Sequence, residues 1–242
     1  MLQCDAIKCD FSRGEVLAQK KAVCIMSGGM DSTLAAYLMR DEGYDIIGVH
    51  FSYAQRTQKK EYASFHAICQ NLHIKTRYAL PLDFFGMIGA SALIDTNIAV
   101  PTGGIEAGVP ATYVPFRNGI FLSIATAIAE KENAEVLSIG VVEEDSSGYP
   151  DCTKAFIESM TQSINLGTKE RTRLRIATPL VNLTKEEIVT WSLQREVPLH
   201  LTWSCYQNET LACGVCDSCR LRLKGFARAN ASDPIAYEQT DA

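Results

Sequence analysis

The sequence predicts an α/β fold, an open doubly wound parallel sheet with a small lobe after it, on three observations. Short apolar runs without alternation, as expected of strands buried on both faces, take turns with stretches of helical periodicity. A glycine-rich turn separates the first such run from the first helical stretch. Four of the nine cysteines crowd into residues 205–219, so the character of the chain changes near that point. A chain of 242 residues suits one large domain with an appendage. The expected division is a lead-in over 1–19, an α/β domain over 20–200, and a cysteine-organised lobe and tail over 201–242.

The first strand falls at residues 22–26 (AVCIM) and stops at the turn-forming SGGMDS. Leu34, Ala35, Leu38 and Met39 then recur at helical spacing up to Gly43, placed where a helix ends. Strand, helix and strand follow at 45–51, 59–72 and 74–80, an alternation that implies parallel βαβ units. Between 81 and 115 the periodicity fails among Gly and Pro, which predicts a long irregular connection. Asn118 can cap a helix that buries Phe121, Leu122, Ile124, Ala125, Ile128 and Ala129, and 136–142 reads as a fourth buried strand. A helix over 154–165 leads to a fifth strand at 174–180. Thr184 followed by Glu187 fits a capping box for a helix carrying Ile188 and Trp191, and a basic helical stretch covers 220–228.

Hydrophobic residues at 47% and charged residues at 21% exclude a disordered, collagenous or low-complexity chain. The net charge of −5 provides no global basic field, so phosphate binding has to be local, and neither a stable nucleic-acid partner nor a membrane surface is expected. No apolar run is long enough to span a bilayer and the first residues carry no hydrophobic core of a signal peptide, so a cytoplasmic protein is expected. In that compartment cysteines serve as metal ligands, reactive thiols or small core residues, and Cys24 and Cys69 read as core.

Ser27-Gly28-Gly29-Met30-Asp31-Ser32 lies between a buried strand and an amphipathic helix, where backbone N–H groups and the positive end of the helix converge on an anion. The two glycines admit a phosphate closely, Ser27 and Ser32 offer hydroxyls, and Asp31 can cap the helix or help to hold Mg²⁺. Cys205, Cys213, Cys216 and Cys219 follow the pattern C-x7-C-x2-C-x2-C, which lets four thiolates converge on one tetrahedral ion. Zinc is the natural occupant, with an iron–sulfur cluster or buried thiols as alternatives.

At SGGMDS the chain resembles the N-type ATP pyrophosphatases (the PP-loop superfamily), which cleave ATP between its α and β phosphates to make adenylates. Further strings, YVPFRN at 113–118, GVVEEDSSGYPDC at 140–152, TPL followed by LTKEEI, and WSCYQN followed by CGVCDSC, are similar to the 7-cyano-7-deazaguanine synthase family over 21–226. That resemblance implies an adenine nucleotide alpha hydrolase-like, Rossmann-like fold and an ATP-dependent ligase of queuosine biosynthesis. The implied reaction takes 7-carboxy-7-deazaguanine and ammonia, drawn from solution, to 7-cyano-7-deazaguanine through adenylated intermediates in a homodimer.

Carried residue by residue, the resemblance puts Mg·ATP on Met26, Ser27, Gly28, Gly29, Met30, Asp31, Ser32 and Thr33, and one structural zinc on the four clustered cysteines. It puts the substrate acid near Gln55, Arg56, Tyr113, Arg117, Asn118, Asp145, Tyr149 and Asp151. An arginine fork suits a carboxylate, an aromatic ring can stack on the deazapurine, and Asp145 or Asp151 can pair with the guanine-like amine or hold Mg²⁺. Asp31, Ser32, Arg56 and Arg117 are the implied catalytic set, acting by positioning and charge stabilisation. The family's QRH string is QRT here, with Thr57 in place of histidine and Glu61 one position further on than usual. Three competing readings stand beside this one. They are a PP-loop tRNA-modifying enzyme, favoured by basic Arg220, Arg222, Lys224 and Arg228, a ligase that joins the same acid to another amine, and a nucleotide-sensing module without catalysis.

Overall fold

The computed structural model describes residues 19–103, 108–142 and 148–239. Asp145, Cys4, Cys9 and the expected lead-in up to residue 18 lie outside the described residues. Five strands, β1 (Lys21–Ile25), β2 (Asp45–Ser52), β3 (Thr76–Pro81), β4 (Val136–Ile139) and β5 (Arg175–Ala177), form one sheet in the order β3-β2-β1-β4-β5. Every neighbouring pair is parallel, which gives the expected doubly wound sheet. The helices are α1 (Met30–Asp41), α2 (Gln58–Asn71), α3 (Phe84–Ile88), α4 (Arg117–Glu132), α5 (Lys154–Gly167), α6 (Lys185–Gln194) and α7 (Asp217–Arg228). Among the described residues no helix is long and apolar enough to cross a membrane.

The unalternating strands have a direct cause in the layers. On β1, Val23 and Ile25 join the cluster packed beneath α4 and α5, while Ala22 and Cys24 join the opposite one with Phe65, Ile68 and Cys69 of α2. Burial on both faces removes any reason for polar residues at alternate positions. It also pushes the Cys24 and Cys69 thiols up to about 12, which keeps them inert as core residues. A third cluster joins α1 to the later helices, with Leu34 against Ile188, Val189 and Phe226.

Four local expectations give way to tertiary causes. The fourth strand ends at Ile139 instead of residue 142, because at Gly140 the chain turns close over the start of α1. A Cβ at Gly140 would sit 2.9 Å from the Ser32 Cα, so only glycine fits this approach. The fifth strand is three residues long, since turns begin immediately before Pro179. The stretch from 81 to 115 contains the short α3, whose single turn and a half is too brief for a periodic signal. Asn118 does not cap α4. Phe116 occupies the cap position in the left-handed conformation with φ of 53°, and Asn118 is the second helical residue.

Candidate active site

In the order β3-β2-β1-β4-β5 the chain reverses direction across the sheet between β1 and β4, and a crevice opens there outside the carboxyl ends of the strands. The crevice is a cavity of about 400 Å³, within the usual range for a small-molecule site. Its floor is the end of β1 (Ile25, Met26), residues at and after the end of β2 (Phe51, Tyr53), and the segment from Ile139 to Val142.

One end of the cavity is the SGGMDS turn. Ser32 Oγ accepts from the Ser27 N–H at 3.2 Å and donates to Gly29 O at 3.1 Å, and Ser27 Oγ accepts from the Gly29 N–H at 3.2 Å. Thr33 Oγ1 donates to Gly29 O at 2.7 Å. These bonds fix the loop as a ring around the start of α1, where the helix dipole favours an anion. Gly28 has φ of +91°, and a Cβ there would lie 2.5 Å from Glu61 O, so the loop and α2 meet in backbone contact. Met26, Ser27, Gly29, Met30, Asp31 and Ser32 line the cavity, while Gly28 and Thr33 build the loop from behind.

Two groups from far along the chain close this end. Lys185 Nζ donates to Asp31 Oδ2 at 2.7 Å, with both side chains mostly buried, and the Trp203 N–H donates to Gly28 O at 2.9 Å. The Thr184–Glu187 capping box forms as expected and makes Lys185 the first residue of α6. A cation at the positive end of a helix is locally unfavourable, and that misplacement was the available sequence signal that Lys185 serves a site elsewhere. Asp31 Oδ1 is buried without a hydrogen-bond partner, so one oxygen of this carboxylate remains open to a cation.

The other end is built by α4 and the segment before α5. Arg117, the first residue of α4, donates from Nη1 to Tyr53 Oη at 3.0 Å and lies over the rings of Tyr53 and Phe121. Burial pushes the Tyr53 phenol up to about 12 despite the neighbouring guanidinium, so Tyr53 remains a neutral hydroxyl. The buried Asp151 accepts the Asn118 N–H at 2.9 Å, which places its charge on the positive helix end beside Arg117. Asn118 Nδ2 donates to Cys152 Sγ at 3.1 Å. Arg117, Asn118, Tyr149 and Cys152 line the cavity. Tyr113 and Asp151 stand behind it, Tyr113 stacked on Tyr149 at 5.8 Å with its hydroxyl accepting the Phe116 N–H.

Gln55, Arg56, Thr57 and Glu61 form the side wall. Arg56 donates from Nε to Ala92 O and from Nη2 to Asp95 O and Ile98 O at 2.7–2.9 Å, so it pins the loop across the cavity. Gln55 Oε1 accepts the Tyr53 N–H at 2.7 Å, and its Nε2 donates to Glu61 Oε2 at 2.9 Å. Thr57 Oγ1 donates to Glu61 Oε1 at 2.7 Å. Burial raises the Glu61 carboxyl above its ordinary value, against the opposing pull of these two donors and of Arg117.

The four clustered cysteines are all buried, and their sulfurs lie within 4.8 Å of one another. A tetrahedral zinc with bonds of about 2.3 Å needs sulfurs about 3.8 Å apart, and Cys213 and Cys219 are separated by 4.0 Å. Cys205 Sγ accepts N–H groups from Gln207, Asn208 and Cys213 at 3.3–3.4 Å, and Cys213 Sγ accepts the Cys216 N–H at 3.3 Å. Donors aimed at sulfur stabilise the thiolate, the form that ligates metal. The residues therefore fit a metal ion held in a closed four-sulfur site.

Comparison with known proteins adds the following. Residues 21–230 match the family described as queuosine biosynthesis protein QueC. The chain is 63% identical over 221 residues to the 7-cyano-7-deazaguanine synthase of Sulfurimonas denitrificans, covering 91% of this chain and 99% of that one. It is 62% identical over 220 residues to the synthase of the same name from Nautilia profundicola, again covering 91% and 99%. The NH3-dependent NAD synthetase from Campylobacter jejuni superposes with a TM-score of 0.47 at 15% identity, covering 76% of this chain and 67% of that one.

Proposed function

The chain belongs to the queuosine biosynthesis protein QueC family, and from that premise we propose that its cleft converts 7-carboxy-7-deazaguanine and ammonia to 7-cyano-7-deazaguanine at the expense of ATP. The observation that carries this reading is the polarity of one cavity, with an anion loop and Lys185 at one end and Arg117 amid Tyr53 and Tyr149 at the other. A carboxylate repels nucleophiles and lacks a leaving group, and adenylation removes both obstacles. The substrate carboxylate, oriented by the Arg117 fork, attacks the α-phosphate and expels pyrophosphate, while the loop N–H groups, Ser32 and Lys185 neutralise the charge that develops there. Ammonia then displaces AMP to give an amide. A second activation of the amide oxygen lets AMP leave as the nitrile forms.

Asp31 Oδ1, buried without a partner, suits it to hold Mg²⁺ of Mg·ATP, which would supply further charge neutralisation at the phosphates. Cys205, Cys213, Cys216 and Cys219 hold one structural zinc in this reading, since four sulfur ligands leave no position for a catalytic water. Asp151 acts on the substrate through the start of α4, and Arg56 acts through the loop that it pins. The net charge of −5 supports a small-molecule substrate over a tRNA. The reading includes a homodimer, for which the exposed Phe84, Met87 and Ile88 of α3 offer an apolar face.

The deciding experiment incubates purified protein with 7-carboxy-7-deazaguanine, an ammonium salt and Mg·ATP, with products identified by mass spectrometry. The expected products are the nitrile, AMP and pyrophosphate. No AMP from this acid, or AMP formed only with tRNA present, overturns the reading.

A further inference from the structure

Ammonia at neutral pH is almost wholly ammonium, which has no lone pair to attack an adenylate. A site that uses it therefore needs a base beside the reacting carbon, and the reading of the cleft developed above does not supply one. The loop and Lys185 are cationic or donors, Arg117 stays charged, and Asp151 is committed to the start of α4. The other carboxylates that line the cavity are Asp217, at the start of α7, and Glu61, and Glu61 is the one with each oxygen held by a side-chain donor of the side wall.

Its placement is specific. Thr57 stands at the cap position of α2, where threonine usually accepts a backbone N–H, yet its hydroxyl makes no cap bond and donates to Glu61 Oε1 instead. The spacing of four residues puts the two side chains on one face of the helix. Gln55, itself anchored by the Tyr53 N–H, holds the other oxygen. Each carboxylate oxygen accepts one bond and keeps further acceptor capacity. The charged groups facing it from other elements are Arg117 of α4 and Glu209 of the segment after Trp203.

We propose that Glu61 is the catalytic base that binds ammonium at the side wall of the cleft and takes its proton. The inference rests on the adenylating function proposed above and extends it to the nucleophile. The Glu61 carboxylate accepts one proton from ammonium, and the freed ammonia forms the C–N bond with its lone pair. The C–O bond to AMP breaks with its electron pair on the phosphate oxygen, and AMP carries off the surplus proton of the nitrogen. Glu61 then releases its proton to solvent. Burial raises the carboxyl above its ordinary value and so makes it a stronger base than an exposed glutamate.

The test uses metal-loaded Glu61→Gln and two nucleophiles, ammonium and hydroxylamine, the second being largely unprotonated at neutral pH. Pyrophosphate release with acid and ATP persists in the variant, turnover with ammonium falls by about 100-fold, and hydroxamate formation with hydroxylamine stays within about threefold of the parent. Equal loss with both nucleophiles, or no loss with ammonium, overturns the proposal. Absence of pyrophosphate release in the parent overturns the adenylating function instead, so the two failures are distinguishable. Thr57→Val, nearly isosteric, tests the same point without removing the carboxyl. Loss of a donor to the charged form moves the acid limb of kcat/KM for ammonium to higher pH, and an unmoved limb counts against Glu61.

Discussion

Asp31 and Lys185, 154 positions apart in the chain, meet with Oδ2 and Nζ 2.7 Å apart at the mouth of the phosphate loop. In the proposed function this pair fixes the lysine over the place where the phosphates of ATP arrive. Lys185→Met keeps the length of the stem and removes the charge. It is expected to lower adenylation about 100-fold, as loss of one preorganised group facing developing charge commonly does. Pyrophosphate release in the first turnover measures it. Full activity would make Lys185 a brace for Asp31 and nothing more.

Arg117→Lys keeps the positive charge but loses the planar fork. The bond to Tyr53 Oη and the stacking on Tyr53 and Phe121 both depend on that plane. The variant is expected to raise KM for the acid at least tenfold while KM for ATP stays near the parent value. Equal effects on both substrates would move Arg117 from the acid to the shared phosphate.

Cys213→Ser and Cys216→Ser are each expected to lose the metal and most of the soluble yield. Zinc binding in small cysteine sites contributes roughly 10–16 kcal/mol, against the roughly 5–15 kcal/mol that holds a whole domain. Cys69→Ser, in the core on the far side of the sheet, leaves the metal in place. Elemental analysis should find about one zinc per chain. Iron with a visible absorption band would replace the zinc by a cluster, and no metal would end the claim.

His50 is fully buried, stacks on Phe65 at 5.1 Å, and donates from Nδ1 to Met26 O at 2.9 Å. Burial lowers its affinity for a proton, only partly offset by that bond, so the folded protein holds it neutral. Between the lowered folded pKa and the ordinary value near 6.5 the unfolded chain binds more protons, so stability rises with pH across that window. The contribution is complete above about pH 6.5 and is lost as pH falls towards the folded value. His50→Asn keeps a donor near Met26 and should flatten this acid limb in thermal melts. The same slope in both proteins would assign it to other groups.

The alternation of strands and helices was legible because burial on both faces of a parallel sheet leaves its mark residue by residue, as in the run Ala22 to Ile25. The phosphate turn and the cysteine cluster were legible because each is local, its ligating atoms supplied within six or fifteen consecutive residues. Lys185 was not, since its partner Asp31 lies 154 positions away. Glu61 bonds only to near neighbours in sequence, Thr57 and Gln55, and what the sequence does not show is that the sheet order brings it to face Arg117. Arg56 illustrates the converse. Its residue type suggested charge stabilisation, and the structure adds a second task, since its Nε and Nη2 donate to three backbone carbonyls from residues 92–98. The cap of α4 was misread for a related reason, since the group that satisfies the helix start belongs to Asp151, 33 positions away.

The two bonds that close the phosphate turn, from Lys185 to Asp31 and from Trp203 to Gly28, set the timing of the site during synthesis. A nascent chain carries SGGMDS through most of its elongation without the groups that close it, because Lys185 and Trp203 are translated long after the turn. In the proposed function the cradle for ATP is therefore complete only once residues 185–203 have been made. A fragment that ends before Lys185 lacks both groups that close the turn.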